Sequence, residues 1–254
     1  MKLYGFVEWE KQKRSIELTE VESDEVLFKK EFSDIEKGWT VIDVGAEVGY
    51  YTIMAGRLVG SSGQVLSIEP HPETHHVLKM NIELCRLNNV ITVCKAVGNK
   101  TGKVKLYEGM GPGATTVVPS PSLYRLDRNR LHRWLMLVKN RDILKILHKT
   151  QVPVGYVSMD TLQRIAKEKN VGKIDLIKID VQGAELDVLK GSHNILKKDK
   201  PRLLVEVHPS LNLNQEALYE FLRNYGYSLK MQRRSTFAPN YDYGTIYVVA
   251  RFNM

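Results

Sequence analysis

Between residues 40 and 59 the chain reads Thr40-Val41-Ile42-Asp43-Val44, then Gly45-Ala46-Glu47-Val48-Gly49-Tyr50, then an apolar stretch from Tyr51 to Val59. A β-branched run that ends at two glycines and passes straight into a helix-length apolar segment leaves few folds open. The glycines let the turn tighten, and without a Cβ they let a ligand approach the backbone. The same alternation continues along the chain. Gln64 to Glu69 reads as a second strand closed by Pro70, and Pro72 suits the first turn of a helix carrying Val77, Leu78, Ile82 and Leu84. Val90 to Cys94 is a third strand, and Lys103 to Tyr107 alternates with period two as an extra strand. After a glycine- and proline-rich loop over 109–122, the pattern predicts a strand at Val152–Val157 and a helix at Thr161–Lys169. A buried strand at 174–179, a helix at 184–196, a strand at Arg202–Val207 and a helix at 215–225 follow. A closing pair lies around 227–232 and 245–251. Strands separated by helix-length segments imply an α/β fold with a doubly wound, mostly parallel sheet that binds ligands beyond the carboxyl ends of its strands. The ending implies one antiparallel strand near an edge.

The glycine turn has the spacing G-x-x-x-G, not the G-x-G-x-x-G of dinucleotide binders, and no G-K-[ST] loop for a nucleoside triphosphate is present. Glu69 closes the second strand twenty residues past Gly49, where a carboxylate can accept hydrogen bonds from both ribose hydroxyls of a nucleoside. A glycine turn and a strand-end glutamate each occur where nothing binds. Their joint position at the first two strand ends points to an adenosine-like ligand, and S-adenosylmethionine fits best.

Several strings resemble the FkbM family of S-adenosylmethionine-dependent methyltransferases. Val41-Ile42-Asp43-Val44-Gly45-Ala46-Glu47-Val48-Gly49-Tyr50-Tyr51-Thr52 is similar to its first motif and Glu69-Pro70 to its second. The narrowest match is Ile174 to Glu185, with Lys178-Ile179-Asp180-Val181-Gln182-Gly183-Ala184-Glu185 at its core, followed by Val188-Leu189-Lys190-Gly191. Leu204-Val205-Glu206-Val207-His208-Pro209 resembles the strand after it, and Ser158-Met159-Asp160-Thr161-Leu162 also has a family-like place. Two positions depart from the pattern: Glu47 stands where the family usually has Asn, and Gln182 where it usually has Glu. The resemblance implies a seven-stranded, Rossmann-like class I methyltransferase sheet. It also implies methyl transfer, most often to a hydroxyl of a sugar, glycan or other small molecule. By the same resemblance Asp43 and the turn Gly45, Ala46, Glu47, Gly49, Tyr50 face the amino-acid part of the cofactor. Glu69 and Pro70 then face the ribose, and Ala96 and Val97 the adenine.

Asp180 ends one strand and His208 the next, so both open toward the ligand crevice, and both are candidate bases for the hydroxyl proton. Imidazole has the more suitable unperturbed pKa. Asp180 is equally suited to cap the helix that follows, and Glu185 to the first turn of that helix. Lys178 lies inside an apolar strand, where an unpaired ammonium is expensive, so a pairing with Asp160, Asp180 or Glu206 is expected. The candidate catalytic set is therefore Asp180, His208, Glu185 and Lys178. Asp180, Glu185, Glu206 and His208 offer metal-ligand atoms, but no H-E-x-x-H spacing supports an ion and no metal is assigned. His71, His75 and His76 read as a solvated helix start.

Charge is unevenly placed. The chain carries a formal +8, yet residues 1–38 hold seven basic and ten acidic side chains. Residues 120–150 hold eight basic against two acidic, including Arg128, Arg130 and Arg133 as candidate substrate contacts. A basic stretch concentrates anionic partners. It suits a small-molecule or glycan acceptor bearing an anionic group. RNA phosphates with Tyr124 or Trp134 for stacking, an anionic membrane surface, and a solvated lid are the alternatives. The expected organisation is an N-terminal appendage over 1–38 and a methyltransferase domain over 39–254, with a partly helical basic insertion at about 119–150. No apolar run is long enough to span a membrane, and a cytoplasmic protein is expected. Cys85 and Cys94 lack metal or redox spacing and are expected in the core.

Overall fold

The computed structural model describes residues 2–3, 16–17, 26–108, 115–118, 152–208, 214–233 and 246–252. Strands β1 (Lys2–Leu3) and β2 (Ile16–Glu17) pair antiparallel. Helix α1 (Val26–Ser33) precedes the alternating body: β3 (Thr40–Val44), α2 (Tyr50–Val59), β4 (Gln64–Ile68), α3 (Pro72–Leu84) and β5 (Val90–Val93). Then come β6 (Ala96–Val97), β7 (Gly102–Glu108), β8 (Thr115–Thr116), β9 (Val152–Asp160) and α4 (Leu162–Glu168). The chain continues with β10 (Leu176–Ile179), α5 (Glu185–Lys190), α6 (His193–Lys198) and β11 (Arg202–Val207). Helix α7 (Gln215–Asn224), β12 (Tyr227–Arg233) and β13 (Ile246–Phe252) complete the described elements.

Seven strands form the main sheet in the order β12-β13-β11-β10-β3-β4-β5. The pairs among β5, β4, β3, β10 and β11 are parallel, whereas β13 runs antiparallel to both its neighbours. One reversed strand next to the edge is what the sequence pattern implies. Both faces of the sheet are covered, so its strands are apolar almost throughout. Ile42, Val44, Ile177, Ile179, Leu203 and Val205 pack on one face, and Val41, Val65, Leu176 and Leu204 on the other with Phe32 and Tyr51. Among the described residues no helix is long and apolar enough to cross a membrane.

Three local expectations change. The strand at Lys103–Tyr107 is not an outlier of the main sheet. It is β7, part of a second sheet ordered β6-β9-β7-β8. The helix expected over 184–196 is broken into α5 and α6 at Gly191 and Ser192, and a Cβ on Gly191 would sit 2.0 Å from the carbonyl oxygen of Gly98. Only glycine lets that helix end meet the turn after β6. Cys85 is partly buried and Cys94 exposed, since Cys94 lies one residue beyond β5. The basic stretch with Arg128, Arg130 and Arg133 lies outside the described residues.

Candidate active site

Strands β3 and β10 lie side by side, but their chain connections leave in opposite directions, which opens a crevice at their carboxyl ends. Register places Lys178 of β10 opposite Asp43 of β3, and Asp43 opposite Ser67 of β4. Each is the next-to-last residue of its strand. The result is a polar row across an apolar face. Thr52 Oγ1 in α2 donates to Asp43 Oδ2 at 2.6 Å and lies 2.8 Å from Ser67 Oγ.

Lys178 is the only cation of this row. Its Nζ lies 3.5 Å from Asp43 Oδ1 and 3.6 Å from Asp180 Oδ2, donates to the Gly45 carbonyl at 3.0 Å, and sits 5.1 Å from the Tyr51 ring centre. Burial disfavours the ammonium, but Asp43 and Asp180 outweigh it and raise its pKa. Of the partners expected from sequence, Asp180 is present. Glu206 makes no direct ion pair with Lys178, and Asp160 turns away to Arg164 and Lys95. Asp43 was the partner that sequence distance concealed.

The Gly45–Gly49 turn is held from both sides. Gly45 has φ +75° and a Cβ there would lie 1.8 Å from the Asp180 carbonyl oxygen, so this glycine is required by the neighbouring strand end itself. Gly49, at φ +98°, would press a Cβ to 2.7 Å from Leu78. Glu47 between them is also left-handed, at φ 51°. Its N–H donates to Glu69 Oε2 at 3.0 Å, and the His71 N–H donates to Glu69 Oε1 at 2.9 Å. Each oxygen of Glu69 keeps a lone pair. Burial raises the Glu69 pKa to about 7 against the pull of those two N–H groups. Burial, with Asp180 adding to it, also raises Glu47. Pro70 follows Glu69, and Ala96 and Val97 lie buried just past β5, which pairs with β4. Tyr50 opens α2 and Ala46 is buried against Ile53 and Leu78. Backbone and side-chain bonds thus bring Gly45, Ala46, Glu47 and Gly49 against the end of β4 and Glu69. His71 departs from expectation: it is buried and caps α3, its Nδ1 accepting from Thr74 N at 3.4 Å.

The other half of the crevice follows β10 and β11. Asp180 does not cap α5, whose N-cap is Ala184 with no side-chain bond. Instead Gln182 and Gly183, at φ 53° and 102°, fold the loop back. Gln182 Nε2 lies 3.2 Å from Asp180 Oδ1 and 3.1 Å from His208 Nε2. His208 Nδ1 lies 3.1 Å from Glu185 Oε1, which also accepts from Gly183 N at 2.9 Å. Glu206 Oε1 lies 3.6 Å from His208 Nε2, and Asp180 Oδ1 3.9 Å from it. Burial disfavours the imidazolium, yet Glu185, Glu206 and Asp180 prevail and push its pKa up to about 10. A ring that basic is no general base at neutral pH on its own. Gln182, noted in the sequence only as a departure from the family pattern, bridges Asp180 and His208, and Thr52 and Ser67, given no role from sequence, complete the polar row.

Six carboxyl groups, from Asp43, Glu47, Glu69, Asp180, Glu185 and Glu206, line this crevice, with the Lys178 ammonium and the basic His208 ring among them. Thr116, at the root of the undescribed basic stretch, donates its hydroxyl to the Gln182 carbonyl at 2.6 Å.

Comparison with known proteins adds a lineage. Residues 43–229 match the family described as the methyltransferase FkbM domain. Methyltransferase 1 of Beauveria bassiana (strain ARSEF 2860) is 30% identical over 156 residues, covering 59% of this chain and 57% of that protein. Methyltransferase sdnD of Sordaria araneosa is 27% identical over 164 residues, 59% of either chain. The chain therefore spans under two thirds of the length of these relatives. The crystal structure of an FkbM methyltransferase from Methylobacillus flagellatus KT matches 89% of this chain and 47% of its own, with TM-score 0.57 and 14% identity. At that identity the likeness is one of fold.

Proposed function

This chain belongs to the FkbM methyltransferase family, and from that premise we propose that it transfers the methyl group of S-adenosylmethionine to a hydroxyl oxygen of a small-molecule or glycan acceptor. The observation that carries this reading is the pairing of an anionic cradle with a second polar cluster a strand-width away. S-adenosylmethionine carries an ammonium and a sulfonium, both complementary to Asp43, Glu47 and Glu69, and its sulfonium methyl is the electrophile. Glu69 accepts from the ribose hydroxyls with the lone pairs its two backbone N–H partners leave free. Pro70 with Ala96 and Val97 flanks the adenine. Asp43 braces the turn from below through Thr52 and Lys178.

On the acceptor side, Asp180 is the exposed member of the cluster, with 24% of its side chain accessible. It receives the acceptor hydroxyl and takes its proton as the new C–O bond forms and the C–S bond breaks. Positioning that oxygen in line supplies much of the acceleration, and proton removal adds about 10²–10⁴-fold. Arg128, Arg130 and Arg133 of the basic stretch, which begins a few residues past Thr116 in sequence, are the side chains we assign to an anionic group on the acceptor.

The pH dependence of cofactor binding tests the cradle. Glu69, with its pKa near 7, is protonated below that pH and loses its strongest acceptor form. Calorimetry is expected to show affinity falling as pH drops through about 7, by up to about tenfold per unit. Glu69→Gln is expected to weaken binding by about 10–100-fold, the loss of a charge-assisted hydrogen bond, and to flatten the pH profile. A wild-type profile flat from pH 6 to 8, or unchanged affinity in Glu69→Gln, contradicts the assignment.

A further inference from the structure

We infer that Asp180, Glu206 and His208 bind one divalent metal cation. One ligand atom from each lies within 4.8 Å of the others. Cation ligands at about 2.1 Å stand about 3.0 Å apart when adjacent and about 4.2 Å when opposite in octahedral geometry. His208 Nε2 is 3.6 Å from Glu206 Oε1 and 3.9 Å from Asp180 Oδ1, so a contraction of under about 1 Å completes the set. Two carboxylates and one imidazole suit a hard-to-intermediate ion such as Mn²⁺.

Two further observations point the same way. His208 is oriented as metal-bound histidines are: its Nδ1 faces the Glu185 carboxylate, which is 0% exposed, so Nε2 looks into the cluster, where an ion takes the place of the Nε2 proton. Glu206 is 7% exposed and has no hydrogen bond of ordinary length among the described residues, its ion-pair partner being His208 at 3.6 Å. The His208 ring balances this carboxylate from 3.6 Å without a close hydrogen bond, which leaves its oxygens able to take an ion seated between the two side chains. Lys178 does not serve it, being engaged with Asp43, Asp180 and the Gly45 carbonyl. The Gln182 amide now spans Asp180 and His208 and gives way when the ion enters past the partly exposed Asp180.

This inference rests on the reading of the crevice as a site of transfer to a hydroxyl, and deepens it. A cation held here through Asp180 Oδ1 would polarise the acceptor oxygen and lower its pKa, so that the hydroxyl passes its proton more readily to the other carboxylate oxygen of Asp180. Chelator-treated protein titrated with MnCl₂ and followed by electron paramagnetic resonance is expected to take up one Mn²⁺ per chain. Glu206→Gln is expected to abolish uptake and Glu185→Gln to weaken it about 10–100-fold, while Glu69→Gln leaves it unchanged. No uptake by the wild type, or wild-type uptake by Glu206→Gln, overturns the site. Should Glu206→Gln fail to fold, the wild-type titration still decides. S-adenosylmethionine calorimetry on the same samples separates the two readings. Cofactor binding without Mn²⁺ uptake overturns the cation alone, and Mn²⁺ uptake without cofactor binding overturns the methyl-transfer reading alone.

Discussion

The Lys178→Met variant is expected to lose about 3–5 kcal/mol of stability, because it leaves the Asp43 carboxylate buried with no cation. Asp43 is 1% exposed, and with Lys178 removed only the Thr52 hydroxyl donates to it. Burial already raises the Asp43 pKa against the pull of Lys178, and removing the ammonium raises it further. A carboxyl whose folded pKa lies above its unfolded value contributes stability at low pH and loses it as pH rises through the folded value. The deficit of Lys178→Met relative to wild type is therefore expected to widen between pH 5 and pH 8. Thermal unfolding at the two pH values measures it. Adding Asp43→Asn to the variant is expected to recover part of the loss, since an amide carries no charge to desolvate. A deficit independent of pH would mean that the ion pair across β3 and β10 is not what holds this face of the sheet together.

Asp180→Asn is expected to reduce methyl transfer about 10²–10⁴-fold while leaving S-adenosylmethionine affinity within about threefold. The substitution keeps the shape of the loop and the Gln182 contact but removes the charge that receives the hydroxyl. Lys178 retains Asp43, so the core row survives and the variant is expected to fold. Single-turnover rates and cofactor calorimetry on one preparation separate the two effects. Equal losses in both would place Asp180 in cofactor binding, and wild-type turnover would remove it from the mechanism.

Much of this was legible before any coordinates. The period-two and helical stretches place the parallel strands, and Gly45, Gly49 and Glu69 mark the crevice because strand-end residues in such a sheet must face it. What the linear pattern withheld depends on register. That Lys178 meets Asp43, and Asp43 meets Ser67, follows only once β10, β3 and β4 are set side by side, 135 residues apart in the extreme pair. The second sheet was hidden for the same reason, since β7 pairs with β9 across the long basic stretch. The break between α5 and α6 falls at Gly191-Ser192, a glycine signal inside the expected helix, whereas the close approach of Gly191 to Gly98 is a tertiary contact. The two departures from the family pattern turn out to share a physical property. Glu47 and Gln182 both sit at positive φ, where Asn is better tolerated than Glu, so both carry backbone strain of order 1 kcal/mol at the crevice.

The central claim is that this crevice methylates a hydroxyl. Its most direct test is incubation of the protein with methyl-labelled S-adenosylmethionine and cell extract fractionated into glycans, small molecules, lipids and RNA, followed by the chemistry of the labelled product. The account predicts label in a small-molecule or glycan fraction as an ether methyl that survives base, and its loss with Asp180→Asn. Label released by base as methanol, label confined to RNA, or no transfer at all would contradict it.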